Sequence, residues 1–158
     1  MKALFIGRFQ PFHNGHLKVV ESLSKDYDEV LIGIGSSQYS DTVDNPFSSD
    51  ERKLMIEKSL DAIGIINYKI ILIPDIHNPP KWVDHVLSIC SDFDVVITNN
   101  PFTKKLFEEK NFKVVESELY NKKEFSGKEI RKRIKEKQDW QNLVPEPVCE
   151  IIKKSNHS

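Results

Sequence analysis

Near its N-terminus the chain reads Ala3-Leu4-Phe5-Ile6-Gly7-Arg8-Phe9-Gln10-Pro11-Phe12-His13-Asn14-Gly15-His16. The run up to Gly7 is almost wholly apolar, which is typical of a strand that is covered on both faces. Beyond the histidines, apolar residues recur at helical spacing at Leu17, Val20 and Leu23. The stretch therefore predicts a strand that passes through a short loop into a helix, with Asn14 as the helix N-cap.

The same alternation of strand and helix continues along the chain. Short runs rich in Val and Ile follow at Val30–Ile34, Ile70–Ile73, Val95–Thr98 and Phe112–Val115. Helical patterns separate or follow them: Ile56, Leu60 and Ile63 after a capping box at Ser48 and Glu51, Val83 to Cys90 after Pro79-Pro80, a helix begun by Asn100-Pro101, and two more near Gly127–Lys137 and Pro147–Lys153. This order predicts a single α/β domain over residues 1–158, with a Rossmann-like, doubly wound, parallel five-stranded sheet and helices on both faces. Ligands of such sheets bind at the carboxyl ends of the strands, so we interpret the irregular stretch Ser36–Phe47 as a lid or a substrate-facing wall.

Composition excludes several classes of protein. The 158 residues are 39% hydrophobic and 30% charged with a net charge of -1, which argues against disorder and against a nucleic-acid partner. The N-terminal apolar run is too short for a signal peptide, and no stretch is long enough to span a bilayer. Cys90 and Cys149 form no C-x-x-C pair, and we expect buried free thiols in a cytoplasmic protein.

The loop before the first helix suits a phosphate group. His16 falls in the first helical turn, where free N–H groups and the positive end of the helix dipole point outward. Two alternatives are histidines that only face solvent and a pair of metal ligands. No further His or Cys cluster completes a zinc site, and we assign no protein metal ligand.

A second segment, Ser126–Lys137, is dense in lysine and arginine. Ser126 is a natural N-cap, and Lys128, Arg131 and Lys135 fall on one helical stripe. A helix start with an adjacent Lys and Arg can clamp a triphosphate. The alternative is a solvated basic face, which is the usual fate of such runs.

The string from Gly7 to His16 resembles the H-x-G-H signature of the nucleotidyltransferase superfamily, in the form found in archaeal-type nicotinamide mononucleotide (NMN) adenylyltransferases. The resemblance covers nearly the whole chain and implies the nucleotidyltransferase fold. It also implies that His13 and His16 contact the phosphates of ATP and stabilise the transition state. Gly7, Arg8, Phe9 and Gln10 would belong to the same ATP-binding segment.

The later basic segment is similar to the family's Ser-Gly-Thr-x-x-Arg motif, which binds the ATP phosphates. Ser126, Gly127 and Arg131 match, whereas Lys128 replaces the threonine, so a hydroxyl is lost and a positive charge is gained. Asn99-Asn100-Pro101 resembles the family's Gly-Asn-Pro turn near the adenine site, with Asn99 in the glycine position. Because Asn tolerates left-handed backbone, we expect that turn to survive.

The acceptor would bind near Trp82, according to the resemblance. Asp75, Ile76 and Trp82 match a family segment whose tryptophan stacks on nicotinamide, while Pro79 replaces the usual asparagine and Asn78 precedes it. The candidate NMN-binding residues are therefore Ile76, Asn78 and Trp82. On its own, a tryptophan in a helical pattern more often belongs to the core.

Together these motifs imply an adenylyltransferase that joins AMP from ATP to NMN, with His13, His16 and Arg131 as the catalytic residues. Magnesium would accompany ATP, and the chain would form a homo-oligomer such as a hexamer, without nucleic acid or membrane. The alternatives are a transferase of the same fold for pantetheine phosphate or a flavin nucleotide, a non-catalytic nucleotide sensor, and a nucleic-acid-binding face on the basic helix.

Overall fold

The computed structural model describes residues 1–117 and 126–155 of the chain. Its strands are β1 (Lys2–Gly7), β2 (Glu29–Gly35), β3 (Tyr68–Ile73), β4 (Val95–Ile97) and β5 (Lys113–Val115). They form one sheet in the order β3-β2-β1-β4-β5, and every neighbouring pair is parallel. The predicted five-stranded parallel sheet is confirmed, and each predicted strand end lies within one or two residues of the observed end.

Within the described residues, six α-helices connect or follow these strands. They are α1 (Asn14–Asp26), α2 (Ser49–Ala62), α3 (Pro79–Ile89), α4 (Pro101–Glu109), α5 (Gly127–Lys135) and α6 (Glu146–Lys154), with a short 3-10 helix at Gln141–Leu143. No helix of residues 1–117 or 126–155 has the length and apolarity that a membrane span requires.

The helices cover both faces of the sheet because β1 sends alternate side chains to opposite sides. Ala3 and Phe5 join a core that contains buried residues of α1, α2, α5 and α6, whereas Leu4 joins a second core with Val83 of α3 and Phe107 of α4. The continuous apolar run of β1 is therefore buried on two sides, as its sequence predicts.

The strand order places a switch point beside β1. From β1 the chain builds outward through β2 to β3, and it then returns to add β4 and β5 on the other side. Connections leave the two sides in opposite directions, so a crevice opens at the carboxyl ends of β1 and β4. The two sequence motifs follow this edge: the first begins at the end of β1, and the second opens α5.

Helix caps explain why the elements begin where they do. Ser48 and Glu51 form the predicted capping box of α2, Asn100 caps α4, and Ser126 caps α5 through its hydroxyl. The prediction that Asn14 caps α1 is wrong, because the imidazole of His13 takes that role and Asn14 is the first helical residue. The side chain of Asn14 instead donates to the carbonyl of Asn142.

Three smaller expectations are also corrected. Ile63 is not a core residue of α2, since it ends the helix and is 44% exposed, while Met55 is buried. Both cysteines are free but half-buried rather than buried. Asn99 is not among the described residues with positive φ, so the turn at that point does not use left-handed backbone.

Candidate active site

The two histidines of the first motif cap α1 with their own rings. Nδ1 of His13 accepts the backbone N–H of Gly15 at 3.1 Å and that of His16 at 3.3 Å. In return, Nδ1 of His16 accepts the backbone N–H of His13 at 3.2 Å. This reciprocal pair is a capping box built from imidazoles, and it locks both rings at the start of the helix.

The same cap decides which ring nitrogen carries the proton. Because each Nδ1 accepts a hydrogen bond, the hydrogen of each neutral ring is on Nε2. Burial lowers the pKa of His13 from 6.5 to about 4. Burial, and then the neighbouring His13, lower the pKa of His16 well below 6.5. At neutral pH both side chains are therefore uncharged Nε2–H donors.

Aromatic rings hold the histidines from behind. The His13 and His16 rings stack with centroids 3.5 Å apart, and His16 also packs on Phe9 at 4.8 Å and on Phe12 at 5.6 Å. Phe9 is buried in left-handed backbone with φ of 54°. A Cβ on Gly7 would meet the Phe9 ring at 3.0 Å, so this glycine makes room for a buried ring.

The start of α5 reaches this loop through one arginine. Nη1 of Arg131 donates to the carbonyl of Gln10 at 2.8 Å. A Cβ on Gly127 would lie 2.8 Å from that Nη1 and 3.1 Å from the Gln10 oxygen. A side chain at this position would therefore push the Arg131 guanidinium out of the contact that joins the two motifs.

Cations concentrate at this edge of the sheet. Burial, and then Arg8, lower the pKa of Arg131, and the same two causes lower the pKa of Arg52 to about 10. Within the described ranges, none of these three guanidinium groups forms an ion pair with a carboxylate. Their mutual repulsion would be relieved by a bound polyanion.

A basic cavity of about 530 Å³ adjoins the start of α5. Its cationic lining residues are Lys128, Arg131, Lys132 and Lys135, and Asp44 and Glu136 are its acids. The predicted stripe of Lys128, Arg131 and Lys135 is thus on one face. Lys128, at the position where the family motif has a threonine, adds its positive charge to the lining of this cavity.

A second cavity of about 490 Å³ lies at the carboxyl ends of the strands. It joins Gly7 and Arg8 of the first motif to Asn78 and Trp82 of the candidate acceptor region. The Trp82 ring is half-buried and packs edge-on against Phe107 at 5.5 Å, so it belongs both to the core and to the cavity wall. The other residues that line the second cavity include Thr98, Asn100 and Phe102.

Other candidate residues lie around these cavities rather than inside them. Ile76 is 36% exposed and is not part of the lining of the second cavity. Asn99 directs its amide to the hydroxyl of Ser117 at 2.9 Å. Of the candidate phosphate-binding residues, Arg8 lines the second cavity and Arg131 lines the basic one. The rings of His13 and His16 belong to the lining of neither cavity.

The loop of residues 36–47, called the wall below, is fixed to neighbouring segments by paired side-chain hydrogen bonds. Gln10 is buried and pairs with both backbone groups of Phe47, at 2.8 Å and 2.9 Å. Gln38 pairs in the same way with both backbone groups of Asp75, at 2.9 Å each. Of the two predicted roles, lid or wall, these paired bonds favour the wall. They also show that the Gln10 side chain is engaged within the protein.

Sequence reasoning missed the residues that hold this wall. Arg52 is fully buried and binds backbone carbonyls of the loop, and Gln38 links the loop to the residues after β3. The one signal for Arg52 was an arginine directly after the capping-box Glu51, which also fits an exposed helical position. Gln38 lies in the stretch that was predicted as a lid or wall, but its contact could not be predicted, because its partner lies 37 residues away.

Protein ligands for a metal ion are sparse. Across residues 1–117 and 126–155, no group of three or more His, Cys, Asp or Glu side chains is placed to hold a metal.

Comparison with known proteins gives consistent results. The family model described as cytidylyltransferase-like matches residues 4–133. The nicotinamide-nucleotide adenylyltransferase of Archaeoglobus fulgidus is 48% identical, covering 97% of this chain and 91% of that protein. The enzyme of the same name from Methanococcus aeolicus is 47% identical, covering 96% of this chain and 88% of that protein.

Solved structures share the fold. A bifunctional NMN adenylyltransferase/ADP ribose pyrophosphatase from Francisella tularensis, crystallised with AMP and an Mn ion, has a TM-score of 0.81 at 24% identity. The match covers 99% of this chain and 50% of that one, so this chain corresponds to about half of the bifunctional protein. A second structure, from Vibrio parahaemolyticus, is named a putative nicotinate-nucleotide adenylyltransferase. It has a TM-score of 0.66 at 20% identity, and the match covers 97% of this chain and 98% of that one.

These sequence relatives match the chain almost from end to end. The chain belongs to the cytidylyltransferase-like family and, within it, to the nicotinamide-nucleotide adenylyltransferases.

Proposed function

We propose that this chain transfers AMP from ATP to NMN, giving NAD and pyrophosphate. The observation that carries the proposal is the junction of the two motifs, where Arg131 of α5 binds the carbonyl of Gln10, three residues before the paired imidazoles. Anion-binding groups from both ends of the chain therefore meet at the carboxyl edge of the sheet, where ligands of doubly wound folds bind.

The chemistry asks little of the protein beyond alignment and charge. The phosphate of NMN is an anion at neutral pH, so one of its oxygens can attack the α-phosphorus of ATP without a general base. The bond to the β-phosphate oxygen breaks, and pyrophosphate leaves with the electron pair. Catalysis then depends on in-line placement and on stabilising the charge that builds up on the phosphoryl oxygens.

The proposed roles follow from this need. The neutral Nε2–H of His16 donates to the α-phosphoryl group, while His13, Arg8 and Arg131 bind the β and γ phosphates and the departing pyrophosphate. Ser126 and Gly127 hold the start of α5, whose free N–H groups face the same anion. Lys128 and the rest of the basic cavity extend this field.

We assign the rest of the ATP site to the remaining matched residues. Gly7, Phe9 and Gln10 shape the loop, with the side chains of Phe9 and Gln10 buried. Asn99 follows β4 beside the expected adenine position.

The acceptor occupies the second cavity. The nicotinamide ring stacks on the open face of Trp82, whose other contacts hold it edge-on against Phe107. Asn78 lines the same cavity and can hydrogen-bond the carboxamide. Ile76, two residues earlier in the same loop, would contact the acceptor from outside that lining. Because the cavity also contains Arg8, the NMN phosphate at its far end would lie next to the ATP phosphates.

Magnesium fits this site as a partner of the nucleotide rather than of the protein. The described residues offer no carboxylate cluster, so triphosphate oxygens and water would be the ligands. Bound in this way, the ion would neutralise part of the triphosphate charge.

An assay with a panel of acceptors tests the proposal. The chain is incubated with ATP, magnesium and NMN, nicotinic acid mononucleotide, pantetheine phosphate or flavin mononucleotide in turn. We expect NAD and pyrophosphate in equal amounts with NMN, and far slower release of pyrophosphate with the pantetheine and flavin compounds. Binding of ATP without any turnover would instead identify a nucleotide sensor.

We further propose a homo-oligomer in the cytoplasm, on the strength of the family resemblance. Light scattering coupled to gel filtration would measure the mass of the assembly, and a strictly monomeric chain that is fully active would contradict the oligomer.

A further inference from the structure

Arg52 is the most deeply buried charged residue of the described chain, with 0% exposure. It lies in α2, outside both sequence motifs. Its donors reach six backbone carbonyls, those of Ser48, Arg8, Gly35, Ser36, Ser37 and Tyr39, at 3.0 to 3.3 Å. No carboxylate within residues 1–117 and 126–155 forms an ion pair with it.

These carbonyls belong to separate parts of the active site. Nη1 holds the carbonyl of Arg8, just after β1, together with that of Gly35 at the end of β2. Nη2 holds three carbonyls of the wall, from Ser36 to Tyr39. One planar guanidinium therefore fixes the distance between the Arg8 backbone and the wall, which a lysine with three donors on one nitrogen cannot reproduce.

Hydrogen bonds connect the wall to residues that line the acceptor cavity. Gln38 pairs with both backbone groups of Asp75 at 2.9 Å, and the Tyr39 hydroxyl is hydrogen-bonded to Nε2 of His77. Asp75 and His77 both line the cavity that contains Trp82. A continuous set of hydrogen bonds thus runs from the Arg8 backbone, through Arg52, to the loop beside the acceptor.

The chain keeps a buried charge at this point although an apolar side chain would avoid its desolvation cost. Burial, followed by the nearby Arg8, lowers the pKa of Arg52 to about 10, so the group remains charged at neutral pH. Six carbonyl dipoles compensate the charge in place of a carboxylate.

We propose that Arg52 is a positioning residue that sets the acceptor wall relative to the ATP-binding loop, so that the acceptor phosphate meets the α-phosphorus of ATP in line. This inference rests on the proposed function. Misplacement of reacting groups by about 1 Å can lower a rate by about 100-fold. The expected signature is therefore a defect in the use of the acceptor, with ATP binding largely kept.

The test compares Arg52→Lys with the wild type and with Leu60→Ala, a destabilising change at a buried position of the same helix. All are assayed at a temperature at which circular dichroism shows them folded. We expect Arg52→Lys to lower kcat/KM for NMN by about 100-fold, with the Kd for ATP within about 5-fold of the wild type. Leu60→Ala should leave both constants close to those of the wild type.

A second variant covers the case in which Arg52→Lys does not fold. Gln38 is exposed, so Gln38→Leu should fold, and it cuts the same chain of hydrogen bonds at its acceptor end. We expect a higher KM for NMN and an unchanged Kd for ATP. Hydrogen exchange gives a readout without turnover: amides of residues 36–39 and 73–77 should exchange faster in both variants, and not in Leu60→Ala.

Three outcomes would overturn the proposal. Arg52→Lys or Gln38→Leu could match the wild type in NMN use and in exchange, Leu60→Ala could reproduce the whole acceptor defect, or ATP binding could be lost as strongly as acceptor use. A wild-type chain that binds ATP but makes no NAD is a different result, because it would overturn the proposed function itself.

Discussion

His13 and His16 each use Nδ1 to cap the helix that carries them, so Nε2 is the ring nitrogen through which each would act on a substrate. In an ordinary capping box, the polar side-chain atoms are used in hydrogen bonds to the first turn of the helix. Here the imidazole has a second nitrogen, so one residue can cap the helix and also take the role in the reaction that we propose. A histidine takes the N-cap position that Asn14 was expected to fill.

The proposed catalytic role of His16 can be separated from its structural role in the helix cap. His16→Gln keeps a capping oxygen at the third helical position but removes the imidazole Nε2–H, whereas His16→Ala removes both. We expect both variants to lose about 100- to 1,000-fold in kcat with a smaller change in the Kd for ATP, since the lost bond acts mainly on the transition state. Steady-state kinetics and calorimetry measure the two constants. A glutamine variant with near wild-type kcat would show that His16 is structural.

The buried imidazoles also predict how stability depends on pH. The pKa of His13 is about 4 in the folded protein against 6.5 for an unperturbed imidazole, so between these values the unfolded chain binds more protons. The free energy of unfolding should therefore fall as the pH drops through this window, by about 3 kcal/mol for His13, and His16 acts in the same direction.

Urea unfolding at about pH 7 and about pH 4.5 measures this effect. His13→Asn is the matched control, because asparagine also caps helices but does not titrate in this range. The variant should lose the share of the pH dependence that belongs to His13. An identical pH dependence in the variant would mean that His13 is not held neutral by the fold.

Trp82 gives a residue-scale test of the acceptor cavity. Trp82→Ala removes the ring from the cavity wall, and we expect the KM for NMN to rise by about 5- to 10-fold, because a stacking contact of this kind contributes about 1 to 1.4 kcal/mol. The KM for ATP should change less. Trp82→Phe serves as the control and should recover much of the loss. Equal effects on both substrates would remove Trp82 from the acceptor site.

At the scale of elements, the first turn of α5 joins the two motifs. Gly127→Ala places a methyl group 2.8 Å from Nη1 of Arg131 and 3.1 Å from the Gln10 carbonyl, so the arginine must move away. We expect kcat to fall toward the value of Arg131→Met. The double variant should be little worse than Arg131→Met alone, since both changes break the same contact. Independent, multiplying losses would show that Gly127 acts in another way.

The element scale also shows where sequence reasoning succeeds. Capping chemistry and apolar runs are local, and they predicted the starts of α2, α4 and α5 and all five strands to within a residue or two. The error at His13 arose because histidine is an uncommon N-cap. Ile63 was misassigned because helical periodicity cannot tell that α2 stops at Ala62.

At the scale of the whole molecule, the active site is made by long-range pairings that the sequence does not display. Gln10 meets Phe47, Gln38 meets Asp75, and Arg131 meets Gln10 across 121 residues. Family motifs identified Arg131, because its neighbours Ser126 and Gly127 are part of the same signature. No motif identified Arg52, and the loop that contains Gln38 did not reveal the partner of its side chain, so only the folded chain shows what these two residues hold.

The whole-molecule account depends on one geometry: the ring of His16 and the guanidinium of Arg131 act on the same triphosphate. A crystal structure of the chain with α,β-methylene-ATP, magnesium and NMN measures it directly. We expect Nε2 of His16 and a guanidinium nitrogen of Arg131 each within about 3 Å of phosphate oxygens of one nucleotide, with the NMN phosphate in line with the α-phosphorus. A nucleotide whose phosphates contact only one of these groups would contradict the account.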